Sequence, residues 1–216
     1  MVNISGPIVS AKFNAYLCPM LRVKMPSLIQ SMFPRWRWHG PRQDKVLYLT
    51  FDDGPSPGIT EWVLETLARY EAKATFFCIG DKVQQFPETL LKVQAAGHRI
   101  GNHTFNHLNL WKTPLTTYLD NTARCQAALK EALGEEVSLF RPPYGKMTPL
   151  TGRKLRATYE IVMWEVISGD WNQQLSPERV ANNVIQNAQP GSIVVFHDSE
   201  KAKVNMQFAL ERTLAH

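Results

Sequence analysis

From Lys45 onward the chain alternates short apolar runs with longer stretches of helical spacing. The runs fall at 46–51, 74–79, 137–140, 161–167 and 193–196. Between them, "TEWVLETLARY", "PETLLKVQAAG" and "YLDNTARCQAALKEALG" read as amphipathic helices, with apolar residues three and four apart. Apolar runs bounded by helical segments predict repeating βα units and a parallel sheet covered on both faces. Gly97 and Gly134 stand where the second and third of these helices should stop. The expected fold is therefore α/β, with six or so units in a sheet that is either open or curled into a barrel. Periodicity does not separate the two, and in both, function gathers where the strands end.

Residues 1–44 show no such periodicity. The stretch "MFPRWRWHGPRQD" mixes Pro, Gly, Arg and Trp and reads as an arm packed on a domain rather than as a domain. The chain accordingly divides into a basic N-terminal extension, 1–44, and one domain, 45–216, with Met20 or Met25 as alternative starts. With 216 residues and 44% apolar content, one well-buried core is expected.

The net charge of +5 suggests a polyanion partner until it is located. Residues 1–45 hold seven Lys or Arg and one acid, a balance of +6, which leaves −1 for the rest. The arm is thus a solvated basic tail, or one that touches a membrane surface or an acidic polymer. Nothing points to nucleic acid. No positive segment precedes an apolar run near the start, so neither a signal peptide nor a membrane span is expected. Location is then cytoplasmic by default, with association with the cell envelope as the alternative. Cys18, Cys78 and Cys125 are odd in number and widely spaced, which argues against a disulfide framework or a cysteine zinc site; Cys78, in "ATFFCIG", reads as core packing.

Five polar clusters follow five apolar segments. Asp52 and Asp53 follow "LYLTF", "GNHTFNH" follows "HRI", "FRPPYG" follows "SL", "SGDW" follows "IVMWEVI", and "HDS" follows "SIVVF". Paired carboxylates at the end of a buried strand call for a metal, a catalytic proton or a strong hydrogen-bond network. His103 and His107 are spaced i, i+4, which in a helical turn puts both imidazoles on one side; they are metal ligands or a surface pair. Two imidazoles and one carboxylate leave room for water and substrate, as a catalytic zinc requires, and also suit non-haem iron oxygenases, although the spacing there is reversed. Successive side chains diverge at a strand end unless the backbone turns, and Gly54-Pro55 offers a turn. One Asp can then hold the metal and its neighbour act as general base; otherwise the pair caps the following helix. Arg141 could pair with an acid across the site. His197 is either a structural hydrogen bonder or a proton donor.

As a set, these motifs resemble the polysaccharide deacetylases of carbohydrate esterase family 4, the NodB homology group, which includes chitin and peptidoglycan N-deacetylases. "TFDDGP" (50–55), "HTFNH" (103–107), "RPPYG" (141–145), "SGDW" (168–171) and "VFHD" (195–198) occur in the family's order. The resemblance implies a distorted (β/α) barrel with fewer than eight units and a metal-dependent hydrolase that removes N-acetyl groups from glycans. By that likeness Asp53, His103 and His107 hold the metal, zinc in the first place, with cobalt or nickel as alternatives. Asp52 would be the general base, Arg141 would orient it, Tyr144 would give its backbone N–H to the oxyanion, and His197 would be the general acid. Trp171 and Val195 would line the pocket for the acetyl methyl, and Asp170 would belong to the supporting residues.

Two departures from the family pattern carry expectations of their own. Ile167 stands where the fourth motif commonly has an Asp that supports the catalytic His. Glu165, two residues earlier and on the same face of a strand, is the expected substitute. Without support, His197 should have a depressed pKa. Family members also often continue past the last helix into a further strand, whereas this sequence stops at His216, so a less closed barrel is expected. The alternatives to an N-deacetylase are a glycan-binding protein that keeps the metal but has lost turnover, an O-acetyl esterase of the xylan type, and, more remotely, an iron oxygenase. The polymer is left open, as is the oligomeric state, for which a monomer is consistent.

Overall fold

The computed structural model describes residues 23–43 and 45–216. Lys12, Cys18, Met20, Arg22 and Asp44 lie outside the described residues. Seven parallel strands form one sheet: β1 Tyr48–Asp52, β2 Ala74–Cys78, β3 Arg99–Asn102, β4 Leu139–Phe140, β5 Glu160–Ile161, β6 Val166–Ile167 and β7 Ile193–His197. Their spatial order is β5-β4-β3-β2-β1-β7-β6.

The order itself dictates the curvature. The edge strands β5 and β6 are joined by residues 162–165, a link that spans at most about 18 Å. Seven strands about 4.8 Å apart would put the edges of a flat sheet about 29 Å from each other. The sheet must therefore curl, and it forms a distorted barrel with a seam between β5 and β6.

The run 161–167, expected as one strand, is thus two strands on opposite edges of the sheet. Glu165 marks the break: it is buried, and its carboxylate accepts hydrogen bonds from Arg42, Ser192 and Gln189 rather than facing water. The arm covers the seam. Met25 N–H donates to Glu165 O, Arg37 N–H to Ile161 O, and Met163 N–H to Arg37 O, each at 2.8 Å. Residues 24, 37 and 39 form bridges with Val166, Val162 and Ser192, which satisfies strand edges that would otherwise be open to another chain.

Helices cover the outer face. The three amphipathic segments form α2 Ile59–Arg69, α4 Pro87–Ala95 and α5 Leu115–Leu133; α1 Ser27–Met32, α3 Gly80–Gln85, α6 Pro149–Leu155, α7 Pro177–Ile185 and α8 Lys203–Ala215 are the other α-helices among the described residues. In α2, Val63, Leu64 and Leu67 recur on one face and are buried against the sheet. Gly134 ends α5 in the left-handed conformation, φ 78°, which glycine adopts without a Cβ penalty. The main core lies between sheet and helices and includes Phe51, Phe76 and Phe196, whose rings stack. Phe77, Leu139, Val162 and Ile193 form a smaller cluster of their own. Trp36 and Trp38 of the arm are buried in a third cluster with Tyr118, Phe140 and Tyr159. Cys78 and Cys125 are free and buried. Among the described residues no helix is long and apolar enough to cross a membrane.

Candidate active site

A cavity of about 750 Å³ opens at the C-terminal ends of the strands. It is lined by Asp52, Asp53, His103, His107, Tyr144, Trp171 and His197 from the five polar clusters, and by Val23, Met25, Ile79, Lys82, Trp164, Ile167, Ser199 and Lys201.

Asp52 ends β1 with its side chain buried, and Asp53 follows with φ 78°. That left-handed step, which costs a non-glycine residue about 1–2 kcal/mol, is what brings two successive carboxylates to the same cavity instead of opposite faces. Gly54 then passes so close to Asp198 that a Cβ would lie 2.1 Å from Oδ2, so no side chain fits there. Thr104 (φ 65°), His107 (φ 56°) and Tyr144 (φ 60°) are also left-handed, so four of the five such non-glycine residues among those described stand around this site.

His103 and His107 converge through that loop geometry and not through the helical turn expected from their spacing; residues 103–107 are not helical. His103 Nδ1 donates to Arg141 O at 2.8 Å, which leaves the Nε2 lone pair facing the acids. His103 Nε2 and His107 Nε2 lie 3.7 and 3.2 Å from Asp53 Oδ1, a buried oxygen without a hydrogen bond. Three ligand atoms of Asp53, His103 and His107 lie within 4.8 Å of one another. Tetrahedral bonds of ~2.1 Å would space their donors by about 3.4 Å. The cluster therefore fits a divalent metal. Burial pushes the His107 pKa down to about 4, so its ring is neutral and free to coordinate. Burial works to raise the Asp53 pKa, but His197, His103 and His107 outweigh it and hold the group below its ordinary value.

Asp52 Oδ1 accepts a 2.7 Å bond from Arg141 Nη1, which also donates to Thr50 Oγ1 at 2.7 Å. Arg141 is fully buried; its remaining donors go to the carbonyls of Val162 and Met163, and its guanidinium lies 4.2 Å from the Phe77 ring. A buried cation fixed on four sides holds the Asp52 carboxylate in one orientation, with Oδ2 3.8 Å from His103 Nε2.

Of the two residues expected as supports, Asp170 and Glu165, it is Asp170 that lies beside His197. Asp170 Oδ1 lies 2.7 Å from its Nδ1, and Asp170 Oδ2 accepts from its backbone N–H at 2.7 Å. Burial alone would lower the His197 pKa, but the Asp170 carboxylate, with Asp53 and Asp52 behind it, raises it to about 9. The turn at Gly169, φ 82°, brings position 170 to the place where position 167 was expected to act. Glu165 is not the support: its carboxylate is bound to Arg42, Ser192 and Gln189. Val195 is likewise fully buried and does not line the cavity; Ile167, its partner in register on β6, lines it, with Trp164, Met25 and Trp171. Met25 comes from the arm, where no periodicity marked it.

Comparison with known proteins accords with this geometry. The family model for polysaccharide deacetylase matches residues 39–162. A peptidoglycan-N-acetylglucosamine deacetylase of Bacillus cereus is 34% identical over 205 residues, covering 90% of this chain and 74% of that protein. A chitooligosaccharide deacetylase of Azorhizobium caulinodans is 37% identical over 154 residues, 70% of this chain and 73% of that protein. A crystal structure of a peptidoglycan N-acetylglucosamine deacetylase in complex with 4-naphthalen-1-yl-N-oxidanyl-benzamide superposes with a TM-score of 0.80 at 30% identity, over 84% of this chain and 85% of that one. The family 4 carbohydrate esterase of Streptomyces lividans in complex with acetate gives 0.71 at 30% identity, over 80% and 87%. With motifs, curled parallel sheet and relatives in agreement, the chain belongs to the polysaccharide deacetylase family, carbohydrate esterase family 4.

Proposed function

We propose that this chain hydrolyses N-acetyl groups on a peptidoglycan-type glycan, releasing acetate and a free amino sugar, with zinc held by Asp53, His103 and His107. The observation that carries the reading is the juxtaposition of an oriented carboxylate, Asp52, and an imidazole backed by Asp170, His197, in the cavity that holds the metal cluster. The metal, when bound, polarises the amide carbonyl and acidifies water. Asp52, anchored by Arg141, accepts the proton of the attacking water as its oxygen bonds to the carbonyl carbon. The Tyr144 backbone N–H faces the oxyanion that forms. His197, charged below about pH 9, gives its proton to the amide nitrogen as the C–N bond breaks, since an unprotonated amine leaves poorly. The walls of Ile167, Trp164 and Trp171 receive the acetyl methyl.

The reading of a glycan-binding protein without turnover started from an unsupported His197, and Asp170 at 2.7 Å removes that premise. Acetate release from N-acetylated glycans, measured with and without chelator, tests the proposal. Asp52→Asn should remain folded and bind metal while turnover falls about a hundredfold to ten-thousandfold. Acetate release by that variant near the wild-type rate would exclude Asp52 as the base.

A further inference from the structure

At the rim of the reaction centre, two βα loops set a pair of exposed aromatic rings around a lysine. Trp111 is 68% exposed and Tyr144 58% exposed. Lys146 Nζ lies 4.9 Å from the Trp111 ring centroid and 5.6 Å from that of Tyr144, and the Tyr144 ring meets His107 at 4.6 Å. A continuous track therefore leads from the metal cluster, over Tyr144 and Lys146, to Trp111.

The exposure of Trp111 is built in. Its neighbour Leu110 is buried, the Asn109 side chain accepts from the Trp111 N–H at 3.1 Å, and Thr113 Oγ1 donates to Asn109 O at 2.9 Å. The backbone of Leu110–Lys112 is thus fixed while the indole is exposed, an apolar surface next to Lys146 and, through it, to Tyr144 of the cavity wall. Lys146 has no carboxylate within ion-pair distance among the described residues, and neither do Lys82 and Lys201, which line the cavity. The acids of the site are committed elsewhere: Asp52 to Arg141, Asp170 to His197 and Asp53 to the metal cluster. The mouth is therefore cationic and has an aromatic shelf, a combination that suits a sugar chain bearing negative charge.

We propose that Trp111 and Lys146 form a second sugar subsite for a glycan whose units carry carboxylates. The indole lies against the apolar face of the unit next to the one deacetylated, and Lys146 meets that unit's carboxylate. The identity of the ligand as a glycan rests on the deacetylase reading above.

The test compares Michaelis constants for acetate release from two tetrasaccharides, a neutral N-acetylglucosamine oligomer and a peptidoglycan fragment bearing lactyl carboxylates. Trp111→Ala should raise KM about tenfold for both with kcat nearly unchanged, and Trp111→Phe should restore most of the loss. Lys146→Met should raise KM several-fold for the acidic tetrasaccharide alone, an effect that shrinks with added salt. Unchanged constants in Trp111→Ala, or equal effects of Lys146→Met on both glycans, would overturn the proposal. Calorimetric binding of the acidic tetrasaccharide to the same proteins separates the two readings. A chain that releases no acetate yet loses binding in Trp111→Ala refutes the deacetylase and keeps the subsite; acetate release with Trp111-independent binding does the reverse.

Discussion

Replacing Asp170 with Asn isolates the charge that holds the proton on His197. The two side chains have nearly the same shape, and an amide oxygen can still accept from the His197 backbone N–H, which Asp170 Oδ2 now does at 2.7 Å. What disappears is the negative charge 2.7 Å from Nδ1. In the wild type that charge overcomes burial and lifts the pKa from 6.5 to about 9. The lift corresponds to roughly 3 kcal/mol in favour of the imidazolium. Without it burial acts nearly alone against Asp52 and Asp53, and the pKa should drop by about two units. A general acid works only while protonated. At pH 8 the protonated fraction should fall from about nine-tenths to about one-tenth, whereas at pH 6 it is close to complete in the wild type and still about nine-tenths in the variant. Acetate release by metal-loaded enzyme across pH 5–10, with metal content measured at each point, should therefore show the alkaline limb of Asp170→Asn about two pH units below that of the wild type. The same linkage affects stability: a raised histidine pKa stabilises the fold fully below about pH 6.5, and the gain is lost as pH rises through about 9. The variant should accordingly lose more in Tm at pH 6 than at pH 10. Coincident alkaline limbs in the two proteins would refute the role of Asp170 and the assignment of His197 as the acid.

His103→Ala and His107→Ala each remove one of the three proposed ligands, so metal content and acetate release should fall together; full metal occupancy in both variants would contradict the ligand set. Arg42→Met leaves the Glu165 carboxylate, only 3% exposed, without its partly exposed cation but with Ser192 and Gln189 still donating, and should lower unfolding stability by about 1–3 kcal/mol in denaturant titrations while leaving the alkaline limb in place. A shift of that limb would restore Glu165 to the His197 environment.

The parts of the fold that were legible in the sequence are those in which one local rule acts alone. Covered parallel strands must be apolar throughout, so β1, β2 and β7 stand out as runs, and helices with one buried face stand out by their spacing. The polar clusters were legible for the same reason, because Asp52, His103 and His197 interrupt or end apolar stretches where burial is costly. The run 161–167 failed because β5 and β6 have the same composition as a single strand would. Only the length of link between opposite edges of a curled sheet separates them, and that is a property of seven strands together.

The choice between Glu165 and Asp170 as the partner of His197 turns on a similar ground. Alternation along a strand relates positions 165 and 167, and by that rule Glu165 faces the place that Ile167 leaves apolar. The strand, however, ends at Ile167, and the left-handed Gly169 reverses the register before Asp170. A carboxylate three positions later thus reaches the imidazole from a turn, where strand alternation does not apply. Glu165 meanwhile serves the opposite purpose: with Arg42 it ties the arm to the seam, and the Glu165 carbonyl accepts from the Met25 N–H at the point where Met25 enters the cavity wall. The charge at position 165 therefore acts through closure of the barrel, which gives the cavity around His197 an apolar wall, while the carboxylate that meets the imidazole itself is that of Asp170.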